Sequence, residues 1–104
     1  MQKTTRRGPA TKRARRFQAK LFRIAPGSWV FVRVPAKHAP PPTHAWGRTP
    51  VIARVDDKSW DTSVWWDTER QATLLAIPKR IRGAKEEGDV VDVELLPPRG
   101  HRLW

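Results

Sequence analysis

The residues best able to do chemistry in this sequence are its cations, and they are concentrated toward one end. Residues 1–55 carry 13 Lys or Arg and no acidic residue, whereas residues 56–104 carry 8 Lys or Arg and all 10 acidic residues. Guanidinium and ammonium groups neutralise phosphates and release the counterions of a nucleic acid, so this asymmetry favours a polyanionic partner. The alternative interpretation is a solubilising tail beside solvated strand faces.

Together, the basic N-terminal segment and the basic strands that follow it predict a nucleic-acid-binding surface, to which one tryptophan could contribute base stacking. Its candidate residues are Arg6, Arg7, Lys12, Arg13, Arg15, Arg16, Arg23, Arg33, Arg54 and Trp65, with Arg48 in the same basic stretch. Nothing resembles a recognition helix or an RNA-stacking motif, so the sequence does not predict sequence-specific recognition.

The tryptophans divide between core and surface. The alternation of residues 59–66 places Trp60 and Trp66 on one strand face and Trp65 on the other. We expect Trp29, Trp60 and Trp66 to pack in the core, because each aromatic side chain can bury some 150 to 250 Å². Trp46 and Trp65 fit less easily inside and are the better candidates for a contact with nucleic acid or a second subunit.

Catalytic chemistry is weakly supported. His38, His44 and His101 lack the i, i+4 spacing of a helical metal pair, and a two-His site with Asp57 or Asp61 has no spacing in its favour. Asp61 and Ser63 share a strand face and could line a pocket, but a nucleophilic Ser needs a positioned base. The sequence therefore predicts no catalytic residue, no metal and no cofactor, and an enzyme is the less favoured interpretation.

Length and composition restrict the setting. The 104 residues suffice for one small domain, and the absence of Cys removes disulfides, thiolate nucleophiles and Cys-ligated metals, as in proteins of a reducing cytoplasm. No apolar run approaches the roughly 20 residues of a membrane-spanning helix, so we expect a cytoplasmic protein without a membrane partner.

The elements that must position these residues are short strands. Residues 1–16 are too polar to bury surface and predict a disordered basic arm, residues 17–98 a folded domain, and residues 99–104 a C-terminal tail. Alternating apolar residues predict six strands, and a helical turn follows near Pro78 and Arg82. Three consecutive prolines, residues 40–42, predict a surface loop. The predicted strands cover residues 17–24, 29–34, 48–55, 59–66, 71–77 and 90–95.

Six short strands and tight turns favour an all-β fold, a small closed or nearly closed six-stranded barrel, because closure removes exposed strand edges. A sheet covered by one helix is the alternative. The run at residues 71–77 is almost continuously apolar and predicts a central strand that is covered on both faces.

Five sequence blocks carry a family resemblance: "FQAKLF", "GSWVFVRVP", "WDTSVWW", "LLAIPKRIRG" and "EEGDVVDVELLPP". In this order and at these spacings they resemble the bacterial domain-of-unknown-function family numbered nineteen hundred and five, over residues 17–98. The resemblance implies a small β-barrel and no established activity or functional residues. The chain departs from the family pattern where the segment after Pro35 is Pro-rich rather than helical, and where the turn before Trp60 lacks a Gly.

A shorter resemblance lies within the C-terminal part. The stretch "LLAIPKRIRGAKEEGDVVDVELL" is similar to the swapped-hairpin half-barrel of AbrB-type transcription factors and antitoxins, in which two chains interleave. There the Pro begins a helical turn, a residue in the place of Ile81 fills the barrel end, and a Gly-Asp turn reverses the chain. The predicted domain contributes about 60 further residues before this stretch, from Phe17 onward, so one chain could close its own barrel.

These observations favour a non-enzymatic β-barrel binding module, monomeric or homodimeric, that associates with nucleic acid or another polyanion through its basic arm. Two other functions stay open. One is a barrel that binds or transforms a small acidic molecule, with a pocket drawn from Arg33, Arg54, Asp61, Ser63 and Trp65. The other is an AbrB-like dimeric DNA-binding regulator.

Overall fold

A break in the first strand determines the architecture. The computed structural model describes residues 15–41 and 47–98, and in it the predicted strand at residues 17–24 is divided at Leu21. Strand β1 (Arg15–Lys20) pairs antiparallel with the strand that comes last along the chain. Strand β2 (Phe22–Arg23) pairs antiparallel with β3 (Val30–Val34). One stretch of chain therefore supplies strands to two different neighbours.

The remaining strands complete a single antiparallel sheet of seven strands, in the order β1-β7-β4-β5-β6-β3-β2. Because β1 and β2 lie at opposite ends of this order and are joined through Leu21, the sheet curls into a nearly closed barrel. The predicted all-β barrel is confirmed, with seven strands instead of six because of the division at Leu21. The remaining strands are β4 (Arg48–Val55), β5 (Lys58–Asp67), β6 (Ala72–Ala76) and β7 (Val90–Leu96).

The barrel interior is filled by alternate residues of the strands. In β4, for example, the inward residues are Thr49, Val51, Ala53 and Val55, all buried, and β6 is flanked by β5 and β3 as expected of an apolar strand. Each fully buried Val or Leu contributes about 1.5 to 3 kcal/mol to folding. The core comprises Leu21, Val30, Val32, Val34, Val51, Ala53, Val55, Val64, Leu75, Ile77, Ile81, Val91, Val93 and Leu95.

One helical turn follows β6. Helix α1 (Lys79–Arg82) begins after Pro78 and ends at Gly83, whose φ of 62° suits a residue without a side chain. Its Ile81 is buried in the core cluster. The predicted helical turn near Pro78 and Arg82 is therefore confirmed.

The predicted core positions of two tryptophans are wrong. Trp60 packs against the core, but Trp29 is 60% exposed and Trp66 is 41% exposed. Trp29 immediately precedes β3 and so lies outside the alternation of that strand. Trp66 is on the inward face of β5, but it stands next to the end of the strand at Asp67, where less of the barrel covers it.

The described part of the proline-rich segment, residues 36–41, packs against the barrel. A 3₁₀ helix, Ala36–His38, follows β3, Pro40 is buried, and the hydroxyl of Thr49 donates a hydrogen bond to the carbonyl of Pro41 at 2.8 Å. The prediction of a surface loop is thus wrong at Pro40. Residues 42–46, which include Trp46 and His44, lie outside the described residues.

Candidate functional site

Four of the predicted nucleic-acid-binding residues belong to the most basic part of the sequence, which lies outside the described residues. The predicted C-terminal tail, residues 99–104, also lies outside them. Arg6, Arg7, Lys12 and Arg13 belong to residues 1–14. Arg15 and Arg16, predicted as the end of the basic arm, instead form the start of β1. Arg16 is opposite Glu94 of β7 and forms an ion pair with it at 3.1 Å.

Two further predicted cations are held by local contacts. Arg23 forms ion pairs with Glu86 at 3.5 Å and Glu87 at 3.7 Å, and it donates a hydrogen bond to the carbonyl of Ser28. The Nε of Arg54 donates to the carbonyl of Asp56 at 3.3 Å. Both side chains are therefore already engaged by groups of the same chain.

The other predicted strand residues form one row across four strands. The sheet register pairs Arg48 of β4 with Trp65 of β5, Trp65 with Leu74 of β6, and Leu74 with Arg33 of β3. Residues paired in register share a face, and this face is the outer one, because their neighbours along each strand point into the core. We call these four residues the outer row.

The outer row has cations at its ends and apolar side chains between them. Arg33 and Arg48 are exposed, and neither forms an ion pair with another residue of the described ranges 15–41 and 47–98. Trp65 is partly buried, with its ring centroid 5.7 Å from that of Phe31 in an edge-to-face arrangement, and Phe22 extends the aromatic group beyond Phe31. Three inter-strand spacings separate the two arginines, roughly 14 Å between backbones.

A first groove lies between β1, β7 and the end of β4. Its volume is about 480 Å³, and its charged groups largely satisfy one another, as in the Arg16 to Glu94 ion pair and the hydrogen bond of 2.8 Å that Gln18 donates to Asp92. The lining residues are Arg16, Phe17, Gln18, Arg54, Asp56, Asp92, Val93 and Glu94. With three carboxylates and two guanidinium groups, this groove is a poor receptor for an anion.

The carboxylate of Asp56 illustrates how the acidic groups of this groove are held by other groups of the same chain. Burial raises the pKa of Asp56, but two contacts lower it by more than burial raises it. The backbone N–H of Asp92 donates a hydrogen bond to Oδ1 at 3.1 Å, and the ammonium of Lys85 lies 3.0 Å from Oδ2. The pKa of Asp56 therefore lies below its ordinary value, and the carboxylate is ionised at neutral pH.

A second groove lies beside helix α1, has a volume of about 460 Å³ and is lined by Arg23, Ser28, Trp29, Pro78, Lys79, Arg82 and Glu86. Three cations meet here around one carboxylate: Glu86 is 3.2 Å from Lys79, 3.5 Å from Arg23 and 3.7 Å from Arg82. The hydrogen bond from Lys79, with the positive charge of that side chain, lowers the pKa of Glu86.

The five residues expected to form a pocket for a small acidic molecule do not share either of the two grooves. Of these five residues, only Arg54 lines one of the two grooves. Asp61, Ser63 and Trp65 occupy every second position of β5 and therefore share its outer face. Arg33 shares the outer row with Trp65 instead. Within the two described ranges, no three His, Asp or Glu side chains converge to hold a metal ion, and His38 stacks on Phe17 with ring centroids 5.7 Å apart.

No helix in the described part of the chain is both long enough and apolar enough to span a bilayer. The AbrB-like stretch, residues 74–96, finds all its strand partners in the same chain, since β6 lies between β5 and β3 and β7 lies between β1 and β4. The barrel therefore needs no second chain to supply its strands.

These features define a small antiparallel β-barrel domain with a nearly closed sheet. The chain belongs to the family described as Domain of unknown function (DUF1905), whose family model matches residues 17–95. The family resemblance drawn from the five sequence blocks is thus confirmed. No curated protein matches the sequence.

Reasoning from the sequence missed the groove beside α1. The sequence pattern predicts a core position for Trp29 and only a structural turn for Lys79, Arg82 and Glu86. The signal was present in the run "KRIRGAKEE", which places three cations within four residues and two carboxylates shortly after them. The sequence pattern does not show that the chain folds so that Arg23 and Trp29 lie beside this run.

Proposed function

We propose that this protein is a non-enzymatic binding module for nucleic acid. The observation that carries this proposal is the outer row, in which the two exposed cations Arg33 and Arg48 flank Trp65 and have no carboxylate partner among the described residues. Phosphates would supply the negative charge that the protein itself does not place there.

The contrast with other strand cations supports this choice of surface. Arg16 and Arg23 are neutralised by glutamates of the same chain, so a phosphate would have to compete with Glu94, Glu86 or Glu87. Arg33 and Arg48 have no such competitor within the described part of the chain. Arg33 and Arg48 therefore bear most of the proposed phosphate contact within the barrel.

The N-terminal segment extends the proposed surface. Residues 1–16 carry seven of the Lys and Arg side chains, among them Arg6, Arg7, Lys12 and Arg13, and no acidic residue. We assign to this segment the larger, sequence-independent part of the affinity. Neutralising about six phosphates would make the logarithm of affinity fall against the logarithm of salt concentration with a slope near −5.

Fluorescence anisotropy with a labelled oligonucleotide, single-stranded or duplex, at two salt concentrations tests the proposal on the full chain. The double variant Arg33→Gln, Arg48→Gln should lose affinity and reduce the salt slope by about 2, since each lost phosphate contact removes about 0.9. The matched control Lys20→Gln, Arg80→Gln removes the same charge from exposed positions outside the outer row. Absent or salt-independent binding by the unmodified chain would contradict nucleic-acid binding, and equal losses in both variants would contradict the outer row as its surface.

Trp65 gives the proposal a second test. A base stacked on an aromatic side chain contributes about 1 to 3 kcal/mol, and an unpaired strand offers its bases more readily than a duplex. The variant Trp65→Leu should therefore weaken single-stranded binding more than duplex binding. Equal effects on both would remove Trp65 from the interface, and an unchanged unfolding midpoint would show that the barrel is intact.

A further inference from the structure

We propose that the groove beside helix α1 binds a small molecule in which a carboxylate is attached to a flat ring. In this site, Arg23, Lys79 and Arg82 hold the carboxylate and Trp29 contacts the ring. None of the outer-row residues lines this groove, so the proposal is independent of nucleic-acid binding. The ligand would be a small organic acid rather than a polymer.

The carboxylate position is already marked by the protein. One oxygen of Glu86 lies 3.5 Å from Nη2 of Arg23 and 3.7 Å from Nη2 of Arg82, and the other lies 3.2 Å from Nζ of Lys79. Three cations, one from the end of β2 and two from α1, therefore converge on the space of one carboxylate. Planar guanidinium groups match the geometry of a carboxylate and bind it through paired N–H donors.

Glu86 is a replaceable occupant of that position. Its side chain is half exposed, and the other residues that line the groove bring three positive charges against its single negative one. A carboxylate that displaced it would meet the same three cations, while Glu86 turned into solvent. Ion pairs between exposed groups contribute only about 0 to 1 kcal/mol each, so the exchange of one carboxylate for another is close to neutral, and the net affinity must come from contact with Trp29.

Arg82 gives the site a fixed wall. Only 10% of its side chain is exposed, and its Nη1 donates a hydrogen bond to the carbonyl of Ile77 at 3.0 Å. Its Nε is buried and has no hydrogen-bond partner among residues 15–41 and 47–98. A guanidinium held in this way loses little side-chain freedom when an anion binds, and preorganisation of this kind favours affinity.

Trp29 supplies the apolar half of the site. It is 60% exposed, and the preceding residue, Ser28, is tethered to Arg23 by a hydrogen bond of 2.9 Å from Nη1 to the Ser28 carbonyl. This bond holds the start of β3 beside the cations. Small-molecule sites combine apolar or aromatic surface with a few converging polar groups, and the groove of about 460 Å³ is large enough for one ring and its acid group.

Chemical-shift titrations of the isotope-labelled full chain, followed at the backbone and tryptophan indole N–H groups, test the proposal. The probes are benzoate, acetate, which lacks the ring, and benzamide, which lacks the charge. Benzoate should bind at least about tenfold more tightly than either, since charge-assisted hydrogen bonds and ring contact both contribute. The shifts should centre on Trp29 and on α1.

Two variants separate this site from nonspecific binding. Glu86→Ala removes the internal competitor and should tighten benzoate binding about tenfold, whereas Trp29→Ala should weaken it by a similar factor. Glu69→Ala removes the same charge from a side chain that is 88% exposed on another turn, and it should leave benzoate binding unchanged.

Three results would overturn the proposal. The first is benzamide or acetate binding as tightly as benzoate. The second is a Glu86→Ala variant that binds benzoate no better than the original chain. The third is a set of chemical-shift changes centred away from Trp29 and α1.

Discussion

The backbone N–H of Leu21 donates a hydrogen bond to the carbonyl of Asp89 at 2.8 Å, and the carbonyl of Leu21 accepts one from Gly88, also at 2.8 Å. These bonds hold the single residue between β1 and β2 against the turn that precedes β7. The side chain of Leu21 is 1% exposed and belongs to the core. The junction of the two strands is therefore fixed by both hydrogen bonds and packing.

Replacing Leu21 with Ala should lower the free energy of unfolding by about 2 to 5 kcal/mol, because a buried Leu to Ala change loses apolar burial and leaves a cavity. Urea unfolding followed by tryptophan fluorescence measures the loss. Val90→Ala, at a position that is 49% exposed in β7, is the control and should change stability by less than about 0.5 kcal/mol. Equal effects would mean that the junction does not bear on closure of the barrel.

Gly47→Ala should destabilise the barrel by about 2 kcal/mol or more. The φ of Gly47 is +67°, which strains an L side chain, and an added Cβ would lie 2.9 Å from the Cβ of Trp66. Gly88→Ala is a matched control, because its φ is +95° and nothing lies within 4 Å of the added carbon. Thermal unfolding should show the larger loss for Gly47→Ala, and the reverse order would refute close packing against Trp66.

Thr49→Val should cost about 1 kcal/mol. Val fills the same buried volume, but it cannot donate the hydrogen bond of 2.8 Å that Thr49 gives to Pro41, and the Pro41 carbonyl would lose its partner. Thr62→Val, on the inward face of β5, is the control and should be close to neutral. Denaturant unfolding measures both, and a neutral Thr49→Val would show that the hydrogen bond to the proline-rich segment contributes nothing.

Asp56→Asn should make the protein less stable at neutral pH and leave it equally stable in acid. Burial raises the pKa of Asp56, but the Asp92 N–H and Lys85 lower it more, so the folded pKa is below that of the unfolded chain. The resulting stabilisation is complete above the ordinary value of about 3.9 and disappears as the pH falls through the folded pKa.

The size of this effect is limited, because the Asp56 side chain is 34% exposed and solvent screens it, so we expect at most about 1 kcal/mol at pH 7. Asn also tolerates the φ of +56° at this position, which separates the charge from the backbone conformation. Unfolding curves of both proteins between pH 2 and pH 7 provide the test, with Asp57→Asn as an exposed control. A difference that persists unchanged to pH 2 would contradict the charge-based explanation.

The strands could be predicted because their alternation reflects which face each residue buries. The division at Leu21 could not, since Phe17, Ala19 and Leu21 keep their alternation through the break, and only the partners of the two halves differ. The partner of the first half is remote in sequence, since Phe17 is opposite Val93, whereas the second half pairs with a nearby strand, Phe22 opposite Phe31. Alternation states which side is inward, but not which strand lies alongside.

The candidate sites were predictable to a smaller extent. Arg33, Arg48 and Trp65 could be assigned to outer strand faces from parity alone, but their alignment in one row depends on the register of β3, β6, β5 and β4. The exposure of Trp29 depends on its position one residue before β3, because residues outside a strand are not directed by its alternation. The ion pair between Arg23 and Glu86 could not be predicted either, because it depends on which remote segments pack together.

The strand order also has a consequence for synthesis on the ribosome. Residues 15–20 leave the ribosome well before their partners in Val90–Leu96, so the first strand must wait unpaired while the intervening residues are made. Pairings between such remote segments are slow to form, and an unpaired strand edge is open to association with other chains in the interval. Residues 1–16, which carry only positive charges, precede this unpaired strand and include its first two residues. Their electrostatic repulsion opposes association of the strand with other copies of the same chain.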